Sequence, residues 1–115
     1  MNMTGHLTLA AMLALGFVLP AMPVQAADPP VVHLTIKGGR FVPDTLVVPA
    51  NTRFKLLIRN DGPGPEEFES ASLRKEKVLA EGVESFLIFQ PLKPGTYTFF
   101  GEFHPQTAQG RMIAR

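Results

Sequence analysis

An all-β sandwich is the fold this sequence predicts, and three observations predict it. From residue 31 onward the chain breaks into short runs rich in β-branched and aromatic residues, Gly/Pro turns separate those runs, and no stretch carries a helical apolar period of useful length. Seven or eight strands are expected.

The elements follow in chain order. Leu7 to Leu19 is an apolar block with no charged residue, followed by Pro20 and small residues up to Val24-Gln25-Ala26. This is the pattern of a secretion signal, with an h-region too short for a membrane span and cleavage after Ala26 or one residue later. The region Met1 to His6 carries no Lys or Arg, so its positive charge would rest on the α-amino group and His6. Residues 1–26 are therefore read as a signal peptide and 27–115 as one small domain that works outside the cytoplasm.

In that domain, Asp28-Pro29-Pro30 is an extended lead-in. Val32, Leu34 and Ile36 then alternate with His33, Thr35 and Lys37, as a half-buried strand requires, and Gly38-Gly39 ends it. Phe41 to Pro49 is a strand interrupted by proline, which places it at a sheet edge. Phe54 to Arg59 is the next strand, and Asn60-Asp61-Gly62-Pro63-Gly64-Pro65 is the strongest turn signal in the chain. It leads directly into Glu66-Glu67-Phe68-Glu69-Ser70. Leu73 to Glu81 reads as a bent strand with a charged face, Ser85 to Phe89 as an apolar strand, and Thr96 to Phe100 as a strand after the Leu92-Lys93-Pro94-Gly95 turn. Arg111 to Ala114 closes the domain with Met112 pointing into the core.

Composition narrows the function classes. Eleven Lys and Arg stand against ten Asp and Glu, a net charge of +1, which favours neither nucleic acid nor an acidic membrane surface. Cys is absent, so neither a disulfide nor a thiolate is available, and eight of the nine Phe fall in the domain as the material of its core.

Several of these pieces together resemble the cupredoxin family. They are Phe41-Val42-Pro43, Leu46-Val47-Val48, Ala50-Asn51-Thr52, Asn60 at a strand end, and Pro94-Gly95-Thr96-Tyr97-Thr98-Phe99 followed by Gly101-Glu102-Phe103-His104. The resemblance implies a cupredoxin-like Greek-key β-sandwich. It also implies a last hairpin in which a Cys, a His and a Met would bind copper, but Gly101 stands three before His104, where that Cys would be. A blue electron carrier needs the thiolate and is excluded. Glu-Phe-Glu-Ser with Leu73-Arg74-Lys75, and Gly-Glu-Phe-His near the end, resemble the EfeO-type cupredoxin-like domains that accompany bacterial iron permeases. That resemblance implies a periplasmic, non-enzymatic component of iron uptake that presents iron to the permease or assists its oxidation.

The residues themselves are consistent with a metal site and leave the metal open. On a strand, Glu67 and Glu69 share one face while Phe68 enters the core, and Glu66 has the opposite parity to Glu67. With Glu102 and the loop residue His104 they form the expected metal set, and carboxylates with one imidazole suit iron, Cu(II) or Mn(II) better than Cu(I). Arg74-Lys75-Glu76-Lys77 reads as a solvated face, His33 as a surface residue, and Tyr97, Phe99, Phe100 and Phe103 as packing for the sandwich. Two rival readings accompany the iron one: a copper-binding or copper-delivery protein, and a metal-free interaction module that docks through the Glu strand.

Overall fold

The computed structural model describes residues 3–5, 8, 10–22 and 27–115. The cleavage site at Val24 to Ala26 lies outside the described residues. Among those described, no helix is long and apolar enough to cross a membrane.

Among the described residues, nine strands form two facing sheets: β1 (Val31–Lys37), β2 (Arg40–Val42), β3 (Thr45–Val48), β4 (Phe54–Asn60), β5 (Glu66–Ser70), β6 (Lys75–Leu79), β7 (Glu84–Phe89), β8 (Gly95–Phe100) and β9 (Gln109–Ala114). One sheet has the order β2-β1-β4-β7, the other β3-β9-β8-β5-β6. The count exceeds the seven or eight expected because the proline-interrupted segment is two strands. Pro43 cannot donate to a ladder, so β2 ends there as the edge partner of β1, and the chain crosses over to form β3, the edge partner of β9.

Alternation decides which side chains enter the space between the sheets. Leu34 and Ile36 of β1 and Phe54, Leu56 and Ile58 of β4 are buried while His33 and Arg59 are exposed, the period of two expected from the sequence. Phe54 and Phe89 stack with ring centroids 4.9 Å apart, and Phe99 meets Phe41 at 4.9 Å and Phe68 at 4.8 Å. Each fully buried ring contributes about 1.5–3 kcal/mol, and these three contacts help hold a core that has no disulfide. Met112 is fully buried as predicted.

Two features bring the functional end together. Asn60, at the close of β4, is buried, and its Nδ2 donates to Gly64 O (2.9 Å) and Leu79 O (3.0 Å) while its Oδ1 accepts from Gly62 N (2.9 Å). One side chain thus shapes the turn that delivers β5 and ties it to the end of β6. At the same end, the loop from Gly101 to Ala108 is closed by Gly101 N donating to Ala108 O (2.8 Å) and Ala108 N to His104 O (2.7 Å). Thr107 Oγ1 anchors it to the β1–β2 turn through Gly39 O (2.7 Å).

Candidate metal site

β5 presents carboxylates on both faces, and the two faces end up in different chemistry. Pairing with β6 sets Glu69 opposite Glu76 and Glu67 opposite Val78. Glu67, Glu69 and Glu76 therefore share a face, and each offers one carboxylate oxygen such that all three lie within 4.8 Å of one another. Oxygen–metal bonds of about 2.0–2.6 Å let a single ion reach three oxygens spaced this way. Glu67 is buried, Glu69 half-buried and Glu76 exposed, so the group opens from the strand to the solvent.

The condition of Glu67 marks this group as more than a charged surface. Its side chain is 1% exposed and its Oε1 is buried with no hydrogen-bond partner. Burial first, then the carboxyl groups of Glu76 and Glu102 within hydrogen-bonding reach and the negative charges of Glu69 and Glu76, push Glu67 up to about 8. Carboxylates cannot donate to one another once ionised, so two things satisfy such a cluster: a proton held among them or a cation.

Glu66 behaves differently, although it is its neighbour in sequence. Its side chain is 2% exposed, yet its oxygens are fully used: Oε1 accepts from Glu67 N (3.0 Å) and Phe103 N (3.2 Å), and Oε2 is bonded to Nδ1 of His104. The His104 side chain is 45% exposed. Its ring rests on Gly39, whose φ is +68° and where an added Cβ would come within 2.8 Å of the ring. Only a glycine fits both the backbone and the space there.

Of the expected set, then, Glu67 and Glu69 come together, Glu102 is exposed and within reach of Glu67, and His104 is tied to Glu66. Sequence reasoning missed Glu76, which was assigned to a solvated face. The missing signal was hairpin register, since centring the β5–β6 turn on Ser72-Leu73 places Glu76 across from Glu69. Glu66 was undervalued because parity alone says which side a residue faces, not what loop closes over it. His33 is exposed as expected, and Tyr97 packs on the core and donates its hydroxyl to Lys93 O (2.7 Å). Phe103 corrects the expectation that it fills the sandwich: it is 50% exposed, because its backbone, not its ring, turns in toward Glu66.

The profile of the cupredoxin-like domain matches residues 7–114. The chain belongs to the cupredoxin-like domain family. A relative in Rickettsia prowazekii (strain Madrid E), the uncharacterized protein RP394, is 45% identical over 82 residues, and the match covers 71% of this chain and 66% of that protein. The cupredoxin-like fold also matches auracyanin A, a "blue" copper protein from Chloroflexus aurantiacus (TM-score 0.62, 15% identity, 76% of this chain and 99% of that one). The metal-binding domain of the Cu(I)-exporting P-type ATPase CopA from Streptococcus pneumoniae D39, solved with Cu(I), is similar too (TM-score 0.61, 12% identity, 74% and 84%). At such identities the likeness is one of fold.

Proposed function

We propose that the mature domain is a periplasmic, non-enzymatic metal-binding protein of an iron uptake system. Iron is its cargo, held by Glu67, Glu69 and Glu76, with Glu102 as an adjacent carboxylate, and presented to permease components in the inner membrane. The observation that carries this reading is the buried Glu67, which has a partnerless Oε1 and shares a group with the carboxylates of Glu69 and Glu76. Anionic oxygen donors stabilise hard and borderline cations, and the higher charge of iron most of all. The leader pattern supports export, and the likeness of Glu67-Phe68-Glu69-Ser70 and Gly101-Glu102-Phe103-His104 to EfeO-type domains supports the iron system.

A copper-binding or copper-delivery role is the second reading, favoured by the copper proteins among the structural neighbours. Thermal melting of the mature domain separates the two. An ion held at 100 times its Kd adds about 2.7 kcal/mol, which raises the Tm by roughly 10 °C or more in a domain this size. The iron reading predicts this rise with Fe(II) under anaerobic conditions and a smaller one with Cu(I). It also predicts that permease components co-purify with the domain. A larger effect of Cu(I) than of iron would transfer the assignment to copper, and no effect of any metal would leave only the interaction module.

A further inference from the structure

The cupredoxin-like family implies copper at the end of the domain where His104 lies, and the residues present do not fit it. No thiolate ligand is available, because the chain has no Cys. The room a ligand would need is filled: a Cβ added at Gly101 would come within 2.5 Å of Glu66 Oε1 and 2.9 Å of the Ala108 Cβ. The imidazole nitrogen on the inner side is taken as well, since Nδ1 of His104 is bonded to Glu66 Oε2.

We propose that Glu66 is a built-in occupant of this pocket: its carboxylate fills the space over Gly101, engages the inner edge of His104, and so excludes copper from it. The carboxylate is bound as a guest anion would be, by two backbone N–H groups and an imidazole. It reaches the loop at Phe103 from β5, so the chain closes the pocket with its own side chain rather than with an ion. Glycine at 101 follows from the same arrangement. No positive φ demands it there; the carboxylate demands the missing Cβ. His104 is then a positioned loop residue. This proposal stands apart from the iron reading, since the pocket is closed whether or not Glu67, Glu69 and Glu76 hold an ion.

Variants at Gly101, Glu66 and His104 and two kinds of spectrum test it. Gly101→Ala is expected to lower the Tm in the parent protein, and clearly less in a Glu66→Ala background, where the two nearest atoms, both of Glu66, are gone. Equal losses in the two backgrounds would show that Glu66 does not fill that space and would overturn the proposal. Glu66→His combined with Gly101→Cys removes the occupant and restores a thiolate beside two imidazoles. With Cu(II) it is expected to show intense visible thiolate-to-copper absorption, while Gly101→Cys alone shows none. Absorption from Gly101→Cys alone would mean that Glu66 excludes nothing. The parent protein, which needs no substitution, gives an independent result: Cu(II) added to it is expected to show oxygen donors only in its electron paramagnetic resonance spectrum. Nitrogen hyperfine structure that disappears in His104→Asn and is no stronger in Glu66→Ala than in the parent would show that Glu66 does not keep copper from the imidazole, and would overturn the proposal. A failure of Fe(II) binding with these outcomes intact would remove the iron reading alone.

Discussion

Glu66 and Glu67 are adjacent, equally buried and chemically identical, but the fold treats them in opposite ways. Glu66 points toward the Gly101–Ala108 loop and finds three donors, two backbone N–H groups and an imidazole. Glu67 points to the other face, finds only carboxylates, and keeps an oxygen with no partner. Burial alone therefore says little about the role of an acidic residue. What decides is whether the protein supplies the donors itself, which makes a structural anion, or withholds them, which leaves a place for a cation.

The largest expected effect lies on the satisfied side. Glu66→Ala would leave Glu67 N, Phe103 N and the inner edge of His104 without their acceptor, at a cost of about 3 kcal/mol. The Tm should fall by roughly 10 °C or more in a melting experiment without metal. A loss as small as that of an exposed substitution would erase the contrast between the two residues.

Glu67→Gln should do the reverse at pH 8, raising the Tm of the metal-free domain by a few degrees because the buried charge and its repulsion are removed. The pH profile sharpens this. The folded-state value of Glu67, about 8, lies above the ordinary 4.5, so between these values the folded protein holds a proton that the unfolded chain has released. This group's contribution to stability is complete below about pH 4.5 and is lost as the pH rises through about 8. The metal-free domain should therefore melt at progressively lower temperature from pH 5 to pH 8, and Glu67→Gln should flatten that slope. A profile that rises over the same range, unchanged in the variant, would place Glu67 in a solvated setting.

Glu76→Gln is a smaller change. It removes the exposed member of the group while leaving Glu67 and Glu69, so Fe(II) affinity measured by titration should weaken roughly tenfold, about 1.4 kcal/mol. The smallest effect belongs to His33→Ala, at an exposed position of β1, where stability should stay within about 0.5 kcal/mol and metal affinity should not change.

The sandwich was legible in the sequence because alternation and turn chemistry are local. Val32, Leu34 and Ile36 declare their strand, Asn60 to Pro65 declares its turn, and the proline at 43 marks the edge, although not that it divides two strands of two different sheets. The carboxylate face was legible only in part. The shared parity of Glu67 and Glu69 is a local property. Glu76 joins them through cross-strand register, and Glu66 meets His104 across 38 residues, through the closure of a loop that no periodicity describes. Phe103 shows the same limit, since an aromatic residue is read as core until its backbone is seen to be the part that turns inward.

An anaerobic calorimetric titration of the domain from residue 27 to 115 with Fe(II), run beside Glu67→Gln, tests the central claim most directly. The account predicts saturable binding of one ion by the parent protein and its loss in the variant, with the variant still folded. Absence of binding by the parent, or equal binding by both proteins, would contradict it.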